Sequence, residues 1–426
     1  MSSWTYTASN EANLMKIKYG KLIDKQFNQA NVLFGRIKVK KDFVGKQIDR
    51  PIIQSIGGGV SAGSLPTANE NKTALATITP KKLYAVTSID RETKMASKSD
   101  EGSFVRFTAF PVKVATQSFN RNIERQMVRN DVAGAGKLIS GGLDSGTPPT
   151  DVTGAGSSGD PYVISFDKAS SYFAGSFEAI EIGDIVNVNT EATECEVTDM
   201  SVTLSGGYAT GTVTVVGTSA RLATLAGGPT PFTEADSLYM QKSKDSELFG
   251  LQGILSATAS TLYGVTVGRR WQAYQKNASS SAISTDLLND VIINVKRQCG
   301  VAPKMILMGH HQYIKFLNLL EDQKSYNLPA RDKKFKGQVS FSAIEYLGPE
   351  GVIPVVLSRF MDDDKVYFLN EDHIELCLRP GGFEWFNDDG TVFLREATDS
   401  YEARYGGYGQ LFVNPHFQGY LHTLAV

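Results

Sequence analysis

Residues 118–136 read SFNRNIERQMVRNDVAGAG, and the fold turns on what this stretch forms. Extended back to Pro111, it sets Val112, Ala115, Phe119, Ile123 and Met127 at three- and four-residue spacing, which draws one apolar face on a helix. Proline fits the first turn, where its missing N–H leaves no bond unmade. Arg121, Arg125 and Arg129 recur every four residues and form a basic stripe on another face. Ala133-Gly134-Ala135-Gly136 ends the helix, and a Gly/Ser/Thr/Pro stretch over about 140–160 reads as a linker.

Toward the N-terminus the texture is extended. A β-rich limb over 36–56 runs into Gly57-Gly58-Gly59, a polar tip follows from Ser61 to Asn71, and a second limb returns over Thr73–Ile89. Two limbs joined by a Gly/Ser/Asn tip predict a long hairpin. Two strands alone are marginal in water, so such a hairpin needs a surface to lie on. Before it, Met15, Tyr19, Leu22, Ile23 and Phe27 fall close to one face of a helix over 12–28, which Gly20 weakens by about 1 kcal/mol relative to Ala.

Toward the C-terminus, residues 162–254 turn to Val, Thr, Ser, Gly and acid. Short alternating runs such as Ile185–Val188 and Gly211–Val216, divided by Gly and Asp turns, predict a compact all-β insertion. After Ser280 the pattern becomes α/β. Asp286 is the expected N-cap of a helix bearing Leu287, Leu288, Val291, Ile292, Val295 and Cys299 and stopped by Gly300. A strand over Lys304–Met308, a helix over His311–Glu321 and strands at 353–358 and 365–370 follow. The closing stretch is aromatic and punctuated by glycine, and predicts long strands. No fixed-period repeat is present.

The length of 426 residues suggests two or three domains at roughly 150 residues each. Fractions of 41% apolar and 21% charged argue against wholesale disorder. The longest aliphatic runs, Met305–Met308 and Val352–Leu357, fall far short of the ~18 residues of a spanning helix. Residues 2–20 lack a basic segment followed by an apolar one, so no signal peptide is expected. Cys195, Cys299 and Cys377 are odd in number and far apart, which disfavours a disulfide framework or a zinc knuckle. The chain is expected to be reduced, soluble and made inside the cell. Its net charge of −2 is unevenly spread. Residues 11–50 carry ten Lys and Arg against four Asp and Glu, a local +6; residues 160–250 carry four against thirteen and 360–402 three against twelve, each −9. No region is basic enough for sequence-blind DNA binding, while a basic arm beside acidic domains suits docking onto a neighbouring copy as well as it suits a solvated helix.

Motifs of chemistry are weak. Gly154-Ala155-Gly156-Ser157-Ser158-Gly159 and Gly57-Gly58-Gly59-Val60-Ser61-Ala62 match dinucleotide-loop spacing, but neither has both the strand before and the helix after that would aim amides at pyrophosphate. Gly206–Gly211 has phosphate-loop spacing, and Thr212-Val213 stand where Lys and Ser/Thr are needed. His310-His311 and Asp362-Asp363-Asp364 form the only metal-like cluster, more simply read as a strand-to-helix cap and a surface turn. Cys299 is expected to be a buried small hydrophobe, and no Ser or Cys sits in a nucleophile elbow. No catalytic, cofactor-binding or metal residue is assigned, no cofactor is expected, and the chain is read as no enzyme. The late aromatics, among them Phe383, Trp385, Phe386, Tyr405, Tyr408 and Phe412, fit core or subunit interface better than a ligand platform.

The order of these parts resembles that of tailed-bacteriophage major capsid proteins, which share the Hong Kong 97 shell fold. SFNRNIERQMVRNDVAGAG (118–136) looks like that family's spine helix, and REATDSYEARYGGYGQLFVNPHFQGYLHTL (395–424) like its closing strands. The resemblance implies an α+β fold with an N-terminal arm (1–35), an extended hairpin loop (36–100), a peripheral domain with the spine helix (101–159), a β-rich insertion (160–254), an axial α/β domain (255–380) and C-terminal strands (381–426). It implies a coat protein that builds pentamers and hexamers of an icosahedral head around packaged double-stranded DNA, assembled in the host bacterial cytoplasm. Partners would be further copies of itself, scaffolding and portal proteins, and no membrane. Gly57, Gly58, Gly59, Arg121, Arg125 and Arg129 are then the candidate subunit contacts. An encapsulin-type nanocompartment shell, a metal enzyme using His310, His311 and Asp362–Asp364, and a β-rich tail or adhesion protein are the competing readings.

Overall fold

The computed structural model describes residues 32–54, 72–90, 109–140, 152–166, 177–205, 208–226, 236–258, 261–323, 344–386, 393–395 and 400–426. The expected helix over 12–28 and the tip Gly57–Gly59 lie outside them. The chain divides into two bodies, one drawn from residues 1–48, 79–124 and 376–411, the other from 49–78, 125–375 and 412–426.

In the first body the strand Ser400–Val413 is the axis of a six-stranded sheet. Lys81–Asp90 runs antiparallel to it, from Ser400 opposite Asp90 to Gly409 opposite Lys81. Ile374–Leu378, Glu384–Trp385 and Phe393–Arg395 also pair with it, and Lys38–Lys40 extends the sheet. Alternation sets the two faces. Leu83 is buried at 6% exposure, whereas Tyr84 and Val86 on the other face are 47% and 58% exposed. The long helix α1, Ala109–Arg129, lays its expected apolar face inward: Phe119, Ile123 and Met127 are buried. Phe119 meets Tyr405 and Phe383 edge-on, with ring centroids 5.0 and 4.9 Å apart, the geometry favoured by aromatic quadrupoles.

The returning limb of the expected hairpin is two strands, not one. Thr73–Ile78 pairs with Ile48–Ile53, while Lys81–Asp90 joins Ser400–Val413. Pro80 stands between them and has no N–H with which to carry one ladder through.

Beside two-stranded pairings, Ile48–Ile53 with Thr73–Ile78 and Thr261–Leu262 with Val265–Thr266, the second body holds two large sheets among the described residues. A seven-stranded sheet runs in the order Lys137–Ser140, Ser237–Met240, Ile185–Val188, Cys195–Ser205, Tyr208–Gly217, Tyr162–Phe166, Val152–Thr153. Its core includes Ile164, Phe166, Phe177, Val186, Val197, Val213 and Val215. The β-rich region therefore draws in strands before residue 160, too short to show alternation in the sequence, and a seven-residue helix α2, Ala220–Ala226. The Gly154–Gly159 motif is the turn between two of these strands, where a side chain at Gly156 would strike Tyr162 and the Gly217 carbonyl. A short helix α3, Leu251–Ser256, packs Gly253 against the chain just past α1, where a Cβ would overlap the backbone of Asp131 and Val132.

The other sheet is α/β, in the order Tyr274–Asn277, Gly419–His422, Val366–Leu369, Met305–Met308, Gly351–Leu357, Ile344–Gly348. Helix α4, Thr285–Cys299, buries Leu288, Val291, Ile292 and Val295 against Ile306, Phe368 and Leu421. Its N-cap is Ser284, whose Oγ accepts from the Leu287 N–H at 3.3 Å. The expected cap, Asp286, lies in the first turn instead, where its charge suits the helix dipole. Gly300 closes the helix at φ +82°, as expected. Cys299 is only partly buried, its thiol donating to the Val295 carbonyl at 3.1 Å. Helix α5, His310–Gln323, follows the central strand. Among the described residues no helix is long and apolar enough to cross a membrane.

Candidate assembly surface and its buried supports

The arginine face of α1 turns inward. Arg125, 3% exposed, forms an ion pair with Glu247, itself 2% exposed, and Asn130 Nδ2 donates to the same carboxylate at 3.3 Å and to the Leu248 carbonyl at 2.7 Å. Arg129 lies 3.3 Å from Asp362 Oδ1, whose other oxygen accepts from Lys365 Nζ at 2.6 Å. Burial pushes the Asp362 carboxyl up, but Arg129 and Lys365 together outweigh it and hold the group at about 2. Arg121 is half-buried and has a partner as well. Arg125 and Arg129, expected at a subunit contact, thus spend their charge on carboxylates of their own chain.

The aspartate run is buried rather than a surface turn: Asp362 and Asp363 are 5% and 2% exposed. It supplies the expected cap of α5, since Asp363 Oδ1 accepts from the His311 N–H at 2.9 Å. A Cβ at Gly309 would crowd that oxygen, so the bare glycine makes the room. Burial raises Asp363 to about 6, the neighbouring aspartates adding to it and the His311 N–H opposing it. Burial lowers both His310 and His311. Among the described residues no three His, Cys, Asp or Glu side chains gather for a metal ion.

In the first body, Glu124 is 1% exposed, and its two carboxylate oxygens accept from the Leu33 and Phe34 N–H groups, each at 2.8 Å. The carboxylate caps the turn that leads out of the N-terminal segment, with buried Leu33 beneath it. Burial raises Glu124 to about 7, the two backbone donors opposing the shift. The pairing spans 91 residues of sequence and left no local signal.

The outward face of the same body's sheet carries an aromatic and cationic strip. Register sets Lys82 opposite Tyr408, Tyr84 opposite Gly406 and Val86 opposite Arg404. Tyr84 Oη donates to Tyr408 Oη at 3.0 Å, and Phe386 lies 5.8 Å from the Tyr84 ring. The Arg379 guanidinium sits 5.1 Å over Tyr408 and donates to the Gly45 carbonyl at 3.3 Å. Arg379 thereby joins the strip to an open groove of about 500 Å³ lined by Phe43, Val44, Gly45, Lys46 and Pro380, where Val44 is 76% exposed. Of these aromatics the sequence marked Phe386 and Tyr408 as core or interface; Tyr84, in an ordinary alternating strand, carried no such mark.

Residues 233–386, which span α3, α4, α5 and most of the α/β sheet, match the family model described as SU10 major capsid protein. No curated protein matches the chain. Among solved structures, the capsid asymmetric unit of cyanophage A-1(L) shows 12% identity over 93% of this chain and 92% of that one, with a TM-score of 0.49. The capsid of Myoviridae phage XM1 shows 12% identity over 92% of each chain and a TM-score of 0.41. The SrpI encapsulin complex of Synechococcus elongatus PCC 7942 shows 6% identity over 99% and 96%, with a TM-score of 0.44. The family match covers 154 of the 426 residues, about a third of the chain, and over that stretch the chain is similar to a major capsid protein.

Proposed function

We propose that copies of this chain close into pentamers and hexamers of an icosahedral head around packaged double-stranded DNA, and that the work is mechanical rather than catalytic. The family match over 233–386 carries the reading. The exposed strip on the first body supports it, because contiguous aromatic and aliphatic surface on a soluble subunit marks a contact with another protein. Head-to-tail contacts around five- and six-fold axes close into rings, and many modest contacts made together give a stable shell.

In this reading residues 1–35 are an arm and 36–100 a loop lying on the next subunit, with Gly57, Gly58 and Gly59 at its tip. Residues 101–159 and 381–426 form the peripheral part, 160–254 an insertion and 255–380 the axial part. Scaffolding and portal proteins are its assembly partners, and the host bacterial cytoplasm is where it assembles. Sedimentation velocity of the purified full-length chain tests the reading. Fast-sedimenting closed particles or capsomer-sized rings are expected; a subunit that stays monomeric with a scaffold and crowding agents present overturns it.

A further inference from the structure

Among the described residues the first body carries twelve Lys and Arg against five Asp and Glu, +7, while the β-rich stretch 152–258 carries three against eleven, −8. The opposed charges stand at named places. On the strip, Lys46 and Lys82 are exposed, and no carboxylate among the described residues pairs with them; Arg379 meets only a ring and a carbonyl there. On the β-rich sheet, Glu196 and Asp199 of Cys195–Ser205 meet no cation among the described residues, Asp199 accepting only from the backbone N–H of Met200. Glu194 nearby has one distant lysine at 3.7 Å. The same strand ends in Leu204, 62% exposed, an apolar match for Val44 and Val86. Each surface thus combines charge of one sign with uncovered aliphatic carbon, the pattern that steers association and fixes register.

We propose that the strip formed by Lys46, Lys82, Tyr84, Val86, Arg379 and Tyr408 binds the outward face of Cys195–Ser205, with Glu194, Glu196 and Asp199, on a second copy of this chain. The contact joins two different surfaces, so it propagates head to tail and suits ring closure. It rests on the capsid reading and names one seam within it. Nucleic acid is a weaker occupant: Arg379 already lies over the Tyr408 ring, and the strip's two exposed lysines are few for phosphate binding.

The test is charge reversal in the full chain, read by particle yield in sedimentation velocity and electron microscopy beside the unaltered protein. Lys46→Glu with Lys82→Glu is expected to lower the yield of closed particles at least tenfold at moderate salt while the melting temperature stays put. Adding Glu196→Lys and Asp199→Lys to the same chain is expected to restore assembly. Wild-type yield from the lysine variant overturns the seam, as does a loss that the second pair of reversals leaves unrestored. Normal particles with reduced DNA content would assign the strip to nucleic acid and also overturn it. Unaltered chains that never assemble refute the capsid reading, and the seam with it.

Discussion

Replacing Asp362 by asparagine removes the charge at the centre of the second body's buried ionic cluster without changing its shape. The carboxylate is buried between Arg129 at 3.3 Å and Lys365 at 2.6 Å. Its group titrates at about 2 in the fold against 3.8 in the ordinary case. At 1.36 kcal/mol per pH unit, that depression is worth about 2 kcal/mol at neutral pH. The sign follows from the direction. A depressed carboxylate adds stability that is fully present above 3.8 and is lost as pH falls through about 2. The Asp362→Asn variant would leave Arg129 and Lys365 facing each other with no anion, and breaking a buried pair in this way costs roughly 3–5 kcal/mol. The expected loss is therefore about 2 to 4 kcal/mol at pH 7. Urea unfolding of the unassembled subunit, followed through Trp271 of the same body, which is 1% exposed, reads it directly. Removing the charges together, as Asp362→Leu with Arg129→Met, should cost less than Asp362→Leu alone, because fewer buried charges are left unpaired. A loss under about 0.5 kcal/mol for Asp362→Asn, or strict additivity in the double variant, refutes the reasoning.

Three further outcomes are expected. Because Glu124 is raised from 4.5 to about 7, the fold takes up a proton there before the unfolded chain does, so stability should fall by about 3 kcal/mol as pH climbs through that window; Glu124→Gln should flatten this slope in melts taken from pH 4.5 to 8. Gly253→Ala should destabilise the second body by about 2 kcal/mol or more, since the added carbon meets backbone rather than a yielding side chain; calorimetry at unchanged buffer checks it. Deleting residues 57–70 should leave the far-ultraviolet circular dichroism and the cooperative melt in place while abolishing closed particles, and particles from that variant would contradict the loop's role.

The apolar face of α1 was legible because Phe119, Ile123 and Met127 fall at helical spacing and all three are buried. The α/β order after Ser280 and the closing strands were legible for the same reason: their burial follows local periodicity. What the arginines face was not. Arg125 meets a carboxylate 122 residues away, and no local pattern separates an exposed basic stripe from one that is matched inside the chain. The helix start at Ser284 rather than Asp286 was missed because both residues cap well and stand two positions apart. The aspartate run reads as a turn by composition, yet Arg129, Lys365 and the first turn of α5 supply the charge and donors that let it be buried. The outward strip was half visible: alternation placed Tyr84 and Val86 on one face, but only the register with Ser400–Val413 set Lys82 beside Tyr408.

The most direct test of the capsid proposal is electron cryomicroscopy of the purified full-length chain, alone and with a candidate scaffolding protein. Closed shells whose class averages show rings of both five and six subunits, in which neighbouring copies touch through the strip of the first body, are the predicted result. A uniform population of monomers, or trimers with the strip open to solvent, would contradict it.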